Sequence, residues 1–202
     1  MVNGLRLFDG RKAKAGIAII LLVFLIGNQV STSAQQQSVI YISGFGFLAL
    51  LTVLFVLAIP LLAKFIKNDV TIQLLANRRW IGIYSFVFVL IHVVLVAHFF
   101  FNWNIGKMLE NPNRLLGATA FIILAAMAAT SNDASVRALG KYWKWLQYLV
   151  YVALGLVPVH SFNIGMLFMK NVYAQAFILL AAVVVIIVKV GYNLAAAKRP
   201  LF

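Results

Sequence analysis

The fold is decided by the stretch IGIYSFVFVLIHVVLVAHFF, residues 81–100, which contains no Asp, Glu, Lys or Arg. An α-helix rises about 1.5 Å per residue, so as a helix this stretch is about 30 Å long, the thickness of the bilayer hydrocarbon. A helix also satisfies its own backbone hydrogen bonds and therefore tolerates lipid on every side. Residues 81–100 thus predict a transmembrane helix, with His92 near its middle.

The rest of the chain has the same character. Of the 202 residues, 64% are apolar and 10% are charged, and the mean hydropathy is +0.99. A soluble globule of this size cannot bury so much hydrocarbon. We therefore predict an all-α polytopic membrane protein built as a bundle of six transmembrane helices.

Six apolar spans organise the chain as a single transmembrane domain over residues 1–202. They are predicted near residues 15–30, 38–63, 80–102, 115–130, 145–163 and 173–191. The first span is not followed by a convincing small-residue cleavage site, so we expect a retained helix and not a signal peptide. The short tails and loops leave no room for a soluble domain. Because Gly44-Phe45-Gly46 lies inside an apolar span, no nucleotide-binding module is expected either.

Basic residues are distributed unevenly between the two sides of the predicted bundle. The side with both termini carries 14, and the other side carries three. The first group is Arg6, Arg11, Lys12, Lys14, Lys64, Lys67, Arg78, Arg79, Arg137, Lys141, Lys144, Lys189, Lys198 and Arg199, and the second is Lys107, Arg114 and Lys170. Cytoplasmic loops carry the excess of Lys and Arg, so both termini are predicted to be cytoplasmic.

The composition also limits the chemistry. There are 17 basic and 4 acidic residues, a formal charge of +13, which in a membrane protein indicates contact with anionic membrane lipids and not with nucleic acid. The lack of Cys excludes disulfides, thiolate metal sites and iron–sulfur clusters. With so few carboxylates, the three histidines are left to carry any chemistry.

Two of these histidines, His92 and His160, are candidate axial ligands of a haem iron. His92 lies in the middle of the third span, and His160 lies near the outer end of the fifth, two residues after Pro158. Ionisable side chains inside a bilayer are costly and are functional candidates by default. No acidic residue is close in sequence, which argues against a proton relay. Two neutral imidazoles that face each other across a helix bundle suit a haem iron.

Depth along the helices leaves one alternative open. Counted at the helix rise, His92 is roughly 20 Å from Arg79, and His160 is roughly 24 Å from Lys144. The difference of about 4 Å is within the variation of helix tilt. His98, at about 28 Å, could also reach His160, but it is rotated about 240° from His92. Its aromatic neighbours make His98 the weaker candidate.

Each histidine also has a structural interpretation. His92 could form a hydrogen bond between helices, His160 could be a solvated residue near the interface, and His98 could be an interfacial side chain. The small residues of the spans, among them Gly44, Gly46 and Gly117, are expected at close helix contacts. The first two could also leave room for a flat macrocycle.

Several segments, taken in order, resemble a known family. They are NRRWIGIY at residues 77–84 leading to His92, ATSN at residues 129–132, and LGKYWKWLQYLVY at residues 139–151 leading to His160, with a weaker match at Ser43-Gly44 and Pro60. The set resembles the ferric reductase-like transmembrane superfamily, and most of all its small bacterial members of the MsrQ (YedZ) type. The resemblance implies a six-helix b-type haem protein in which His92 and His160 match the ligand pattern. Electrons in such proteins come from quinol or a flavin reductase and go to an outer-side acceptor.

Gln147 departs from this pattern, because the family usually carries another histidine at this position. Glutamine is a poor haem ligand, so a second haem near the inner interface is not expected. The resemblance, with this departure, implies a single haem b in the outer half of the membrane.

Two functions follow from the resemblance. The first is an electron-transfer subunit of a bacterial-type inner membrane that passes electrons from quinol or a partner subunit to an outer-side acceptor. It would be at most a haem-containing oxidoreductase subunit, without its own flavin or nicotinamide domain. The second is a non-catalytic accessory subunit of a larger membrane complex, such as a photosynthetic or respiratory one, with structural haem, a pigment or no cofactor. A proton-coupled transporter ranks third because the spans lack acidic residues.

Overall fold

A computed structural model describes residues 10–197, and all of its regular elements are helical. The α-helices are α1 (Gly10–Val30), α2 (Ala34–Phe65), α3 (Asp69–Phe99), α4 (Ile105–Leu109), α5 (Pro112–Ala129), α6 (Asp133–Leu139), α7 (Lys141–Ile164) and α8 (Val172–Ala197), and a 3-10 helix (Leu167–Lys170) precedes α8. The predicted all-α fold is confirmed. Arg6, Lys198 and Arg199, which were counted for topology, lie outside the described residues.

Five of these helices are long and apolar enough to cross a membrane, namely α2, α3, α5, α7 and the Val172–Lys189 part of α8. Helix α1 supplies a shorter apolar helix, Lys14–Val30, at the place of the first predicted span. Large apolar side chains on the outer faces, such as Leu21, Leu180 and Ile187, are more than 60% exposed. Lipid accommodates such a surface and water does not. The protein is therefore a polytopic membrane protein.

The helices run further than the apolar spans. Helix α3 begins at Asp69, whereas the third span was predicted from residue 80, and only residues 66–68 separate it from α2. The reason is a capping box in which Asn68 and Thr71 satisfy each other's backbone N–H groups, so that a polar segment starts the helix. Arg78 and Arg79, expected in a loop, consequently lie within α3.

Helix α2 is at the centre of the packing. It contacts α1, α3, α7 and α8, while α5 packs between α3 and α7. Phe45 and Ile59 of α2 are fully buried. We call the end of the bundle with residues 100–111 the histidine end, and the opposite end, with residues 66–68 and 130–140, the arginine end. The sequence predicts that the arginine end is cytoplasmic.

Polar contacts join the helices at the arginine end. Arg79 Nη1 of α3 lies 2.6 Å from Asp133 Oδ1 at the start of α6. Trp143 Nε1 of α7 donates a hydrogen bond of 3.0 Å to the carbonyl oxygen of Thr130. These contacts fix the connection from α5 to α7 against α3.

Candidate functional site

His92 is held by helix α2. Its imidazole Nδ1 lies 2.8 Å from the carbonyl oxygen of Ile42. A carbonyl can only accept, so Nδ1 carries the proton and donates it. The ring also packs on Gly46, because a Cβ atom at that position would be 2.9 Å from His92 Nδ1. Since Nδ1 is protonated, the lone pair of a neutral His92 is on Nε2.

His160 is held by helix α5 through the same kind of contact. Its Nδ1 lies 2.8 Å from the carbonyl oxygen of Asn113. The ring lies against Gly117, where a Cβ atom would be 2.5 Å from His160 Cε1 and 2.6 Å from Nδ1. His160 Nε2 therefore also carries the free lone pair.

The environments of His92 and His160 share one structural feature. In each, the backbone carbonyl that accepts the hydrogen bond lies four residues before a glycine. In an α-helix the carbonyl of residue i points toward residue i+4, whose N–H it accepts. When residue i+4 is glycine, no side chain covers that carbonyl, and its second lone pair can accept from a neighbouring helix. Ile42 with Gly46, and Asn113 with Gly117, form these two acceptor positions.

The structure brings the two predicted ligands into the same part of the bundle. His92 and His160 are partly buried and lie within electrostatic range of each other. Within the described part of the chain, no three His, Asp or Glu side chains cluster as a metal site would require. A pair of imidazoles suits a metal that needs only two protein ligands, such as the iron of a porphyrin.

His98 lies apart from this arrangement. It is exposed near the end of α3, and its ring centroid is 4.8 Å from that of Phe99 and 6.3 Å from that of Trp103. This setting agrees with its interpretation as an interfacial side chain.

Two of the small residues differ in what they contact. A Cβ atom at Gly44 would be 3.5 Å from Val23 of α1, which is an ordinary van der Waals distance. Gly46 instead contacts His92 directly. Both glycines were expected at close helix contacts or beside a flat macrocycle, and the acceptor carbonyls of Ile42 and Asn113 were not predicted. The only sequence signal for these carbonyls is the glycine four residues later.

The chain matches a family model and a curated protein. The model, described as "Ferric reductase like transmembrane component", matches residues 43–157. The curated protein, from Polaromonas naphthalenivorans (strain CJ2), is named "Protein-methionine-sulfoxide reductase heme-binding subunit MsrQ". It is 30% identical over 115 residues, which cover 54% of this chain and 52% of the relative, so the chain spans about half the length of that relative. No solved structure matches.

Proposed function

The chain belongs to the ferric reductase-like transmembrane family, and we propose that it is a membrane electron-transfer subunit with one b-type haem held by His92 and His160. In this proposal electrons enter from quinol or a membrane partner and leave to an acceptor at the histidine end. When bound, haem b supplies reversible transfer of single electrons.

The observation that carries the proposal is the hydrogen bonding of the two imidazoles. A ligating histidine almost always donates its other ring N–H to a carbonyl, a carboxylate or water, which fixes the tautomer and the ring orientation. His92 and His160 both donate Nδ1–H to backbone carbonyls at 2.8 Å and keep Nε2 for an iron. A merely structural histidine has no need to reserve the same nitrogen on both helices.

The contacts with glycine also fit this group. Gly46 and Gly117 let each ring lie directly on the neighbouring helix. This position draws each imidazole back against the backbone of the neighbouring helix, α2 for His92 and α5 for His160. A neutral imidazole pair is a donor set that can hold the iron of a b-type haem.

One haem per chain follows from the remaining polar residues. The chain has three histidines, and His98 is exposed among aromatic rings. The family that this chain resembles usually has another histidine at the position of Gln147. An amide is a poor ligand of haem iron, so Gln147 is not expected to bind a second haem. His92 and His160 are then the one histidine pair that can provide both axial ligands of a haem iron.

The direction of transfer in the proposal follows from depth and topology. His92 is six residues from His98 and fourteen from Arg78, so it lies nearer the histidine end of α3. If both termini are cytoplasmic, the pair is in the outer half of the membrane. The relative is named as a subunit of a methionine-sulfoxide reductase. We therefore propose a reductase on a separate chain as the acceptor for this subunit too.

A visible spectrum of the purified protein tests the proposal. A Soret band and an α band that respond to dithionite are expected for a bis-histidine haem b. Pigment bands, or no bands after expression with ample haem, would instead support the alternative of a non-catalytic accessory subunit. The observation in favour of that alternative is Gln147, because the loss of one ligand position suggests a reduced redox role.

A further inference from the structure

A second set of polar residues, which we call the Arg78–Gln147 cluster, lies toward the arginine end and consists of Arg78 on α3 with Gln147 and Tyr151 on α7. Arg78 precedes His92 by 14 residues, and Gln147 precedes His160 by 13, so both lie about 20 Å from the histidine pair. The cluster is thus level across α3 and α7. Gln147 enters the haem proposal only as a residue that does not ligate haem, and the cluster does not depend on haem being bound.

Arg78 has a hydrogen bond, but no carboxylate of the described residues neutralises its charge. Its Nε donates a bond of 3.0 Å to the carbonyl oxygen of Val56 on α2, and Tyr151 lies within electrostatic range. Among residues 10–197 no carboxylate lies at ion-pair distance from Arg78, whereas the adjacent Arg79 is paired with Asp133. A partly buried guanidinium that lacks a counter-ion is stabilised when an anion pairs with it. Its Nη1 and Nη2 donors remain for an anion.

Gln147 adds a second donor. Its Nε2 is buried and has no hydrogen-bond partner in the described structure. Gln147 and Tyr151 are one turn apart on α7, on the face that also carries the buried Val150 and Leu154. Buried polar atoms in proteins are rarely left without a partner, so the unpaired Gln147 amide, one helical turn from the tyrosine that lies within electrostatic range of Arg78, indicates a ligand that accepts hydrogen bonds.

The position of the cluster along the membrane normal indicates that this ligand comes from a lipid head group. Twenty residues, or about 30 Å of helix, separate Arg78 from His98, which equals the thickness of the hydrocarbon. With His98 and Trp103 at one interface, Arg78 lies at the opposite interface, at the level of the lipid phosphates. Guanidinium groups bind phosphate oxygens through paired N–H donors.

We propose that the Arg78–Gln147 cluster binds the phosphate group of an acidic phospholipid from the leaflet at the arginine end. Arg78 supplies the charge and two donors, and the Gln147 amide donates to a further phosphate oxygen. Tyr151, which is within electrostatic range of Arg78, would line the same site. A net negative head group is favoured because no carboxylate of the described chain neutralises Arg78.

The test uses the full chain in detergent micelles and compares Arg78→Gln with Arg79→Gln. Both variants remove one positive charge from neighbouring positions of α3, but only the first removes the cluster's cation. Phosphatidylglycerol is added in steps, and bound lipid is counted by native mass spectrometry. We expect one tightly held lipid in the unaltered chain and in Arg79→Gln, and an affinity about tenfold lower in Arg78→Gln. Equal losses in both variants would mean general attraction to charge and would overturn the proposal.

A second variant and two other ligands complete the test. Gln147→Leu leaves the charge of the chain unchanged. We expect it to lower the affinity for phosphatidylglycerol by about fivefold, because it removes a single neutral hydrogen-bond donor. If Gln147→Leu binds the lipid as well as the unaltered chain, the cluster is not the site. Phosphatidylcholine and inorganic phosphate are added in parallel. If either raises the unfolding temperature as much as phosphatidylglycerol does, an acidic lipid is not the ligand.

Discussion

His92 and His160 are held in equivalent positions, each with its Nδ1 at 2.8 Å from a helix carbonyl that lies four residues before a glycine. The two acceptors belong to different helices, α2 and α5, and to segments of unlike sequence. The equivalence therefore comes from helix geometry and not from a repeated motif. It fixes the same tautomer on both sides of the bundle, and several expected outcomes depend on it.

The first prediction concerns the ligands. His92→Ala and His160→Ala should each lower the haem content by about tenfold or more, because each removes an axial ligand. His98→Ala should keep most of the haem, since His98 is exposed beside Phe99. The measurement is Soret absorbance per chain after purification. Loss of haem in His98→Ala together with retention in His92→Ala would show that His98 is the ligand on α3.

The second prediction concerns the two glycines that contact the imidazoles. Gly117→Ala and Gly46→Ala should destabilise the protein by about 1–3 kcal/mol, because the new methyl group overlaps the ring. Gly117 should be the more sensitive, since its Cβ would be 2.5 Å from the ring of His160, against 2.9 Å for Gly46 and His92. Thermal unfolding and the haem spectrum are measured together, and the spectrum should weaken in both variants.

Matched controls for the glycines lie on the helices that carry the histidines. A Cβ atom at Gly82 of α3 or Gly155 of α7 would meet nothing within 4 Å. Gly82→Ala and Gly155→Ala should therefore leave the haem in place and stabilise their helices by about 0.5–1 kcal/mol. Equal damage from Gly82→Ala and Gly46→Ala would mean that helix flexibility matters here and not contact with the ring.

The sequence predicted the architecture well because lipid imposes a simple rule on it. A long apolar run such as residues 81–100 must be a helix, whatever its tertiary contacts. Boundaries were harder to predict, since α3 begins at Asp69 through a local cap that hydropathy does not register. The acceptors of the histidines could not be predicted, because a backbone carbonyl is present at every residue. Which one accepts depends on how two helices are set against each other.

At the arginine end, the identity of a residue does not reveal its hydrogen-bond partners, so these could not be predicted from the sequence. Gln147 was identified as a departure from the family pattern, but its unpaired Nε2 becomes visible only when the surrounding atoms are placed. Arg78 and Arg79 were indistinguishable in sequence as two adjacent basic residues. In the structure one pairs with Asp133 and the other bonds to the Val56 carbonyl.

The third prediction concerns topology. The uneven distribution of Lys and Arg predicts that the arginine end is cytoplasmic. Reporter fusions at Gln36, Lys107 and Lys170, which lie at the histidine end, should behave as external, and a fusion at Asp69 should behave as cytoplasmic. A periplasmic signal at Asp69 would reverse the bundle and move the histidine pair to the inner half of the membrane.

The fourth prediction concerns the number of haems and the electron donor. With His92 and His160 as the one matched pair, each chain should bind a single haem. Helix α3 places His92 13 residues after Arg79, so roughly 20 Å of helix separate it from the expected inner interface. A soluble donor at the cytoplasmic face cannot pass electrons over such a gap without a further carrier. A quinol in the membrane, or an adjacent subunit, can approach from the side.

Reduction by each donor therefore discriminates between the possible routes. A reduced quinol should reduce the haem of the purified chain quickly, whereas NADPH with a soluble flavin reductase should act slowly. The measurement is the rise of the α band by stopped flow, together with haem content per chain. The His98→Ala variant should behave as the unaltered chain does, because its ring is not part of the pair. Two haems per chain, or rapid reduction by the soluble system alone, would mean that a site near Gln147 binds a second haem, because only an intermediate carrier there could shorten the gap.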